Sequence, residues 1–501
     1  MEAIQQLLFG FSIALTPANL LSCLVGVLAG TVIGAMPGVG PSAGIAILLP
    51  LTFGMNPTSA MIMMAGIYYG AMYGGTITSV LINVPGESSS VMTTLDGYQM
   101  ALKGRAGAAL GIAAIGSFIA GTFSVAMLML LALPLVRVAL SFGPPEYFAL
   151  MLMGLTTISG LTGKSVLKAL AMTLLGLLIS TAGMDAFSGH PRLTFDRSEL
   201  LDGVNFLVVA VGVFGIGEVL YNVERTLRLE FVTTRISDVW PTVQDWRDSW
   251  GAIVRGSILG FLVGVLPGAG GTVASFLTYA AEKKASRHPE KFGTGVIEGV
   301  AAPESANNAS TGGAMVPLLT LGIPGSGTTA IMLGALMMYG LQPGPLLFQK
   351  NPDFVWGVIA SMYVGNAMLL ILNIAFIPVF VQILKIPYHL LMPLIIVFST
   401  VGIYAVDNSI FDVGMLYVFG ILGYFMRKFD MPAAPLVLAV VLGPMMERAL
   451  RQSLTMSLGS FDILFTRPIS AGLMAVALVM LVSPVVGWAR RRRAGSGATV
   501  T

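Results

Sequence analysis

Charged side chains are scarce in this chain. Only 10% of its 501 residues are Asp, Glu, Lys or Arg, against about 25% in an average soluble domain. A soluble protein of this size could not cover its surface with so few charges. Residues 3–86 contain no charged side chain at all, and a helical membrane span needs only about 20 apolar residues. We therefore predict an all-α polytopic integral membrane protein, which excludes a soluble enzyme, a nucleic-acid binder and a disordered scaffold.

Cysteine and the common catalytic motifs are also missing. Cys23 is the only cysteine, so an intrachain disulfide and a cysteine metal site are excluded. The sequence has no Gly-x-x-x-x-Gly-Lys-Ser/Thr phosphate loop, no His-Glu-x-x-His and no Gly-x-Ser-x-Gly. We expect no enzyme activity and no cofactor. Any energy that the protein uses would come from a gradient of Na⁺ or H⁺, or from a partner.

An internal repeat organises the chain. Residues 30–40 match residues 260–270 at five Gly or Pro positions with an offset of 230 residues, and residues 74–86 resemble residues 313–325 at an offset of 239. Two pairs in the same order indicate duplication. We predict a first transmembrane repeat at 1–222, a polar cytoplasmic linker at 223–250, a second repeat at 251–490 and a basic, polar tail at 491–501.

The charges of the loops predict the topology. Basic residues near span ends mark cytoplasmic loops, so Arg490–Arg493 place the C-terminus in the cytoplasm. Basic loops in one half correspond to loops without basic residues in the other. We expect Lys103 and Lys283 to face the cytoplasm, and Asn56 and Asp412 to face the periplasm. This pattern favours two inverted repeats, which are typical of secondary transporters, with about 10–12 membrane segments.

Four Pro-Gly breaks interrupt the apolar runs, at Pro37, Pro85, Pro267 and Pro324. Proline removes a backbone donor, and glycine permits non-helical dihedral angles. We predict discontinuous helices or re-entrant hairpins, since unwound backbone at membrane depth must line a cavity or be covered by protein. Small residues also allow close packing, and the Gly-x-x-x-Gly segments at 30–34 and 260–264 are interpreted as packing seams.

The predicted substrate site consists of glycines and hydroxyl residues that follow the breaks. Its members are Gly38, Gly40, Ser42, Gly86, Ser88, Ser89, Ser90, Gly325, Ser326, Gly327, Thr328 and Thr329. The spans that hold the breaks contain no Lys or Arg, so a bound anion would depend on hydroxyls and on the free N–H groups of half-helix starts. Gly86–Ser90 and Gly325–Thr329 occupy matching positions and can face each other across a pseudo-two-fold axis.

A predicted cation site accompanies it, with sodium as the expected ion. Its members are Gly268, Gly270, Glu304, Asn307, Asn308 and Thr311. The last four share one face of a helix and carry oxygen atoms of the kind that hard cations prefer. The alternative is a polar helix start at the cytoplasmic surface. Glu87 has two interpretations. It is either a functional acid within the membrane or an N-terminal residue that interacts favourably with the dipole of a half-helix.

Several motifs resemble a known family. Gly30–Pro41, Val84-Pro-Gly-Glu87, Pro303-Glu-Ser-Ala-Asn-Asn-Ala309 and Leu321-Gly-Ile-Pro-Gly-Ser326 are similar to the large permease subunit of the tripartite tricarboxylate transporters, over about residues 15–485. The resemblance implies a sodium- or proton-coupled secondary transporter of the bacterial inner membrane that imports citrate-like tricarboxylates or other carboxylates. It also implies two partners, a small membrane subunit and a periplasmic solute-binding protein.

Two other functions stay open at this point. One is a self-sufficient anion or cation carrier, or an exchanger, that works without a binding protein. The other is a membrane-embedded enzyme or flippase, for which the sequence shows neither a nucleophile with a base nor a lipid-sized groove. No nucleic-acid partner is expected, and a homo-oligomer stays open.

Overall fold

The computed structural model describes residues 2–36, 39–161, 165–224, 239–377, 379–380 and 388–495, and these are predominantly helical. The α-helices are α1 (Glu2–Ala14), α2 (Pro17–Ala35), α3 (Pro41–Leu48), α4 (Pro57–Ile82), α5 (Val91–Leu102), α6 (Ala106–Ala139), α7 (Pro144–Leu161), α8 (Val166–Ser180), α9 (Phe206–Ala210), α10 (Gly217–Val223), α11 (Val243–Val265), α12 (Gly270–Ala285), α13 (Glu298–Leu321), α14 (Gly327–Met338), α15 (Pro345–Lys350), α16 (Pro352–Ala375), α17 (Tyr388–Asp407), α18 (Ile410–Lys428), α19 (Ala433–Met456), α20 (Ile463–Thr466) and α21 (Pro468–Gly495). The described residues also include a π-helix at Val211–Ile216, between α9 and α10, and four 3₁₀-helices at Leu49–Thr52, Ser88–Ser90, Ser198–Leu200 and Pro289–Lys291. The all-α prediction is confirmed.

Many of the described helices are suited to a membrane. Seven are long and apolar enough to cross one, and six shorter apolar helices of 10–17 residues accompany them. Helices α4 and α13 have 26 and 24 residues and are buried at nearly every position. The seven long apolar helices confirm a polytopic membrane protein. The number of membrane segments and the opposite orientation of the two repeats stay predictions.

The chain forms two compact units. Unit one comprises Met1–Ala139 and Leu207–Phe425, and unit two comprises Leu140–Phe206 and Met426–Thr501. Each unit therefore takes chain from both predicted repeats, so the repeats at 1–222 and 251–490 describe a division of the sequence rather than two compact bodies. All four Pro-Gly breaks fall in unit one.

Unit one is built around two pairs of helices. Helix α2 packs along α4, and α11 packs along α13. Helix α6 packs against α13, and α16 packs against α1, α4 and α6. Helices α4 and α13, buried on all sides, form the centre of this unit and carry the polar residues of the candidate site.

Helix α11 begins within the segment that was predicted as a linker. Thr242 and Asp245 form a capping box, in which the Asp245 N–H donates to Thr242 Oγ1 at 3.2 Å and the Thr242 N–H donates to Asp245 Oδ2 at 3.0 Å. The reciprocal bonds satisfy two N–H groups of the first turn, so the helix starts at Val243. Residues 225–238 of the predicted linker lie outside the described residues.

Unit two contains α7, α8, α19 and α21. Helix α19 packs against α7 and α8, and α21 packs against α7. A two-stranded antiparallel sheet, β1 (Gly183–Met184) and β2 (Pro191–Arg192), follows α8. Two ion pairs join this hairpin to α19, from Arg192 to Glu447 at 2.8 Å and from Arg451 to Asp185 at 2.8 Å. Helix α21 continues to Gly495, so the first residues of the predicted tail are helical.

Candidate functional site

Glycines bring the central helix pairs of unit one into backbone contact. A Cβ added at Gly34 of α2 would lie less than 3.0 Å from the carbonyl oxygen of Ala71 on α4. A Cβ added at Gly264 of α11 would overlap the carbonyl oxygen of Ser310 on α13 in the same way. Gly264 follows Gly34 by 230 residues, and Ser310 follows Ala71 by 239. These are the two offsets of the sequence repeat.

Equivalent contacts recur one helical turn away. A Cβ at Gly30 would overlap the carbonyl oxygen of Ile67, and one at Gly260 would overlap that of Ala306. These pairs again differ by 230 and 239 residues. The predicted packing seams are confirmed. The two halves of the chain make corresponding contacts, as duplication predicts.

Both central helices end in the same way before their breaks. Helix α4 is capped by Asn83 with φ of 56°, and α13 is capped by Gly322 with φ of 71°. Both residues adopt the left-handed conformation that commonly ends a helix, and they are 239 residues apart. Pro85 and Pro324 follow in the non-helical segments. The helices are therefore interrupted at these two predicted breaks.

The glycine after each of these prolines touches a seam. A Cβ at Gly86 would overlap the carbonyl oxygen of Gly34, and a Cβ at Gly325 would lie 2.9 Å from that of Gly264. Only glycine, which has no Cβ, fits this close to a backbone carbonyl oxygen. Gly86 and Gly325 therefore hold their breaks against α2 and α11, a packing role that the sequence alone did not reveal.

Short helices restart after the breaks. Helices α3, α12 and α14 begin at Pro41, Gly270 and Gly327, and the 3₁₀-helix Ser88–Ser90 leads into α5. The N–H groups of a first helical turn have no partner within the helix. Pro37 and Gly38 lie outside the described residues. Pro267 lies between α11 and α12, and Gly40 is the N-cap residue of α3.

The breaks of the two halves meet crosswise. Ser42 Oγ at the start of α3 lies 2.9 Å from Thr328 Oγ1 at the start of α14. Ser88 Oγ lies 2.8 Å from Thr272 Oγ1 on α12. The first break of each half thus contacts the second break of the other half. Four of the hydroxyls that follow breaks are brought together in two pairs.

The glycines of the third break join this arrangement. The Gly268 N–H donates to the Gly325 carbonyl at 2.9 Å. Gly270 has φ of 59°, and a Cβ there would lie 3.6 Å from Ser326 Cβ. Gly268 and Gly270 were predicted as cation ligands together with residues of α13, but these contacts place them beside the predicted substrate residues Gly325 and Ser326.

Two of the predicted hydroxyls cap their own helix. Ser326 Oγ accepts from the Thr329 N–H at 3.2 Å, and the Ser326 N–H donates to Thr329 Oγ1 at 2.8 Å. This capping box satisfies part of the first turn of α14. The Tyr68 hydroxyl lies 3.3 Å from Ser326 Oγ. The N–H groups of Gly327 and Thr328 and the hydroxyl of Thr328 are then the donors that α14 presents beside Ser42.

Glu87 fills the matching position of the first half. Its carboxylate accepts from the Ser89 N–H at 3.0 Å and from the Ser89 hydroxyl, and its carbonyl accepts from the Ser90 hydroxyl at 2.9 Å. Glu87 thus caps the N-terminus of its own helical segment, as the second of its two interpretations predicts. Ser326 follows it by 239 residues. The Ser89 N–H, in the half-helix start at Ser88, is therefore already engaged by an acidic side chain, whereas Ser326, at the start of α14, has no carboxyl group.

The predicted cation cluster centres on a buried carboxylate. Glu304 is 0% exposed. It accepts from Thr76 Oγ1 at 2.5 Å, from Thr93 Oγ1, and from Asn307 Nδ2 at 3.4 Å. Its burial favours the predicted site over a solvated helix start, and the cation site itself stays a prediction. Within the described part of the chain, Glu304 makes no ion pair.

Asn308 connects this carboxylate to helix α6. Its amide donates to Ser117 Oγ at 2.8 Å, to Asn307 Oδ1 at 2.6 Å and to the carbonyl of Glu304 at 3.2 Å. Thr311 donates its hydroxyl to the carbonyl of Asn308 at 2.8 Å. The four predicted residues of α13 therefore do share a connected polar face.

Three partners in this network were missed as ligands. Thr76 and Thr93 come from α4 and α5, and Ser117 comes from α6. Thr93 stands among the hydroxyls after the second break, but its pairing with Glu304 joins residues 211 positions apart. No local pattern encodes such a pairing. Among the residues that the structure describes, no three or more His, Cys, Asp or Glu side chains form a metal-binding group.

The chain is similar to known transporter sequences. The model of the tripartite tricarboxylate transporter TctA family matches residues 20–438. An uncharacterized 52.8 kDa protein in the TAR-I ttuC' 3'region of Agrobacterium vitis is 48% identical over 493 residues, 98% of each chain. An uncharacterized protein in the TAR-II ttuC' 3'region of the same organism is 44% identical over 234 residues, 47% of this chain and 97% of that one. No solved structure matches the chain. With a family match over most of its length and a relative that aligns from end to end, this chain belongs to the tripartite tricarboxylate transporter TctA family.

Proposed function

We propose that the protein imports citrate-like tricarboxylates or other organic carboxylates across a bacterial inner membrane, driven by a sodium or proton gradient. It receives the substrate from a periplasmic solute-binding protein and works with a small membrane subunit, and its C-terminus is cytoplasmic. The observation that supports this proposal most is the crosswise meeting of half-helix starts at Ser42 and Thr328.

An anion at this place has neutral donors to replace its water. Removing a carboxylate from water costs many kcal/mol unless hydrogen bonds compensate. The starts of α3 and α14 supply N–H groups and the two hydroxyls, and each adds the positive end of a helix dipole. No Lys or Arg occurs in residues 3–86 or 305–349. Such donors hold an anion without the strong ion pair that would slow its release.

The two half-helix pairs are not equivalent toward an anion. At Ser88 and Thr272 the carboxylate of Glu87 already accepts from the local N–H group. A substrate carboxylate would have to compete with Glu87 for that donor. At Ser42 and Thr328 the corresponding cap is the neutral Ser326. We therefore assign the substrate carboxylate to the Ser42 side of the site.

The buried carboxylate of Glu304 supports coupling to a cation. An intramembrane acid without a basic partner is costly and is typically functional. Its oxygen-rich surroundings from Asn307, Asn308 and Thr76 suit either a sodium ion or a transferred proton. The same geometry serves a self-sufficient carrier. The binding protein and the small subunit are supported by the family alone.

Uptake into proteoliposomes tests the proposal. The purified protein, with and without its two partners, is given labelled di- and tricarboxylates under an inward sodium or proton gradient. Gradient-driven uptake that needs the binding protein supports the proposal. Uptake that is unchanged without the binding protein favours the self-sufficient carrier, and no uptake of any carboxylate contradicts both.

A substitution at Gly40 tests whether the substrate approaches this backbone, without disturbing the packing of the helices. A Cβ added at Gly40 meets no atom within 4 Å, so Gly40→Ala leaves the fold intact and only narrows the space before α3. We expect a higher substrate concentration for half-maximal uptake at an unchanged melting temperature. Gly414→Ala on α18, where a Cβ is equally unhindered, is the matched control. If Gly40→Ala behaves like the control, the substrate does not approach this backbone.

A further inference from the structure

A small polar cavity lies among the central helices of unit one. Its volume is about 10 Å³, enough for one water molecule or one small ion. The polar residues that line it are Tyr69 of α4, Ser124 of α6, Asn308 and Thr311 of α13, and Asn366 of α16. Each of these residues is buried.

The hydroxyl hydrogens of Ser124 and Thr311 are donated to backbone carbonyls rather than into the cavity. Ser124 donates its hydroxyl to the carbonyl of Gly121 at 2.8 Å, and Thr311 donates its own to the carbonyl of Asn308 at 2.8 Å. A hydroxyl has one hydrogen and two lone pairs. Both oxygen atoms can therefore only accept from, or coordinate, whatever occupies the cavity.

The side-chain carbonyl oxygen of Asn308 is also an atom that can only accept a hydrogen bond or coordinate an ion. Its side chain is 2% exposed, and its amide nitrogen is engaged by Ser117, Asn307 and the carbonyl of Glu304. Its Oδ1 accepts no hydrogen bond from the described residues. A buried amide oxygen without a donor is costly, and the cavity is where a partner for it fits.

The side chain of Asn366 offers the cavity no free hydrogen. The Asn366 amide donates to the Phe118 carbonyl at 2.8 Å and to Thr122 Oγ1 at 3.1 Å, and its oxygen accepts from the Tyr73 hydroxyl at 2.9 Å.

The Tyr69 hydroxyl is the remaining polar group of the lining. It lies 4.0 Å from Cys23 Sγ, a weak contact in which either atom can donate. Apart from this hydroxyl, the polar lining consists of acceptors.

We propose that this cavity binds one monovalent cation, sodium. A water molecule would donate to such a lining but find at most the Tyr69 hydroxyl as a donor for its own oxygen, whereas a cation needs only acceptors. No charged side chain lines the cavity, which disfavours a divalent ion. Asn308 is linked to the carboxyl group of Glu304 through the side chain of Asn307.

The position of the cavity fits a coupling ion. Tyr69 and Asn308 are 239 residues apart and so occupy equivalent places in the two repeats. The ion would touch the central helix of both halves at once. This inference rests on the proposed function for the role of the ion, but sodium binding itself is measured without any substrate.

The melting temperature of the purified full-length protein in detergent tests the site. Sodium chloride is varied against choline chloride at constant ionic strength, since an ion that binds only the folded protein raises the melting temperature. We expect a saturable rise with sodium and none with potassium or choline. Thr311→Val and Ser124→Ala each remove one oxygen and should raise the sodium concentration for half the effect about tenfold or more.

Two variants make the result specific. Thr320→Val on the same helix is the matched control, because Thr320 is buried and donates to the Val316 carbonyl at 2.7 Å, but it does not line the cavity. Thr311→Ser keeps the oxygen and should keep the sodium response. The site is wrong if the natural protein shows no saturable sodium effect, or if Thr311→Val and Ser124→Ala respond like Thr320→Val. If sodium binding behaves as expected while carboxylate uptake fails, the proposed function alone is overturned.

Discussion

The hydroxyl oxygens of Ser42 and Thr328 lie 2.9 Å apart, although the residues are separated by 286 positions in the chain. One belongs to the first break of the first half, and the other belongs to the second break of the second half. Ser88 and Thr272 form the corresponding contact at 2.8 Å. Each pair of half-helix starts therefore takes one member from each half of the chain, and neither half could form such a site by itself.

The Ser42 and Thr328 hydroxyls should act together on the substrate. Ser42→Ala or Thr328→Val removes one hydrogen-bonding group, and each should weaken apparent affinity by about 1 kcal/mol. Because the two hydroxyls contact each other, the double variant should cost less than the sum of the two single variants. The half-saturating carboxylate concentration in proteoliposome uptake measures all three. Strictly additive effects would show that the hydroxyls do not share a ligand.

Gly86→Ala should disturb the fold before it disturbs transport. A Cβ at Gly86 overlaps the carbonyl oxygen of Gly34, and overpacking of this kind costs about 1–3 kcal/mol. The melting temperature in detergent and the amount of protein in the membrane should both fall. Gly414→Ala, with open space around its Cβ, should change neither. An unchanged melting temperature for Gly86→Ala would show that the seam accommodates a methyl group.

Asp185 should stabilise the hairpin of unit two in a pH-dependent way. The N–H groups of Ser188 and Phe187, together with Arg451, hold the pKa of the Asp185 carboxyl below its ordinary value. A lowered folded-state pKa gives stability that is present above the unfolded value, about 3.9, and is lost as the pH falls through the folded value. Asp185→Asn should therefore destabilise the protein at neutral pH and matter less in acid.

Melting curves of that variant and of the natural protein, taken between neutral pH and about pH 3, check this expectation. Asp202→Asn is the control, because Asp202 lines the same cleft of about 340 Å³ as Arg192 and Glu447 but makes no ion pair among the described residues. A loss at Asp185→Asn that stays constant with pH would assign the effect to packing alone.

Cysteine labelling of intact cells tests the topology. Cys23 is 1% exposed, and a Cys23→Ser background removes it altogether. An impermeant maleimide should label cysteines placed at Asn56 and Asp412, but not those placed at Lys103 and Lys283. Strong labelling at position 283 would contradict the inverted arrangement. Labelling of permeabilised cells shows that the unlabelled positions are reachable.

Much of the site follows from the sequence because its signals are local. A proline followed by glycine breaks a helix wherever it occurs, and the two repeat offsets correctly relate Gly34 with Ala71 to Gly264 with Ser310. The polar face of α13 follows from helical spacing in the same way. These features require no knowledge of which helices are neighbours.

The missed features depend on neighbours distant in sequence. Thr76 and Ser117 meet the polar face of α13 only because α4 and α6 pack beside it. The capping box at Thr242 is a local signal, but it lies in a polar stretch that hydropathy assigns to a linker. Asn366 lines the small cavity from α16, in a span that shows no other sign of function.

The glycine seams also limit how this protein can move. A contact between two backbones has no side-chain rotamers that could rearrange, so α2 with α4, and α11 with α13, cannot easily slide past each other. Each pair should shift as one rigid body during any transport cycle. The bending would then fall to the glycines at the breaks, where Gly268 and Gly270 already have φ of 84° and 59°. A cross-link that locks a seam should leave transport intact, whereas one that spans a break should stop it.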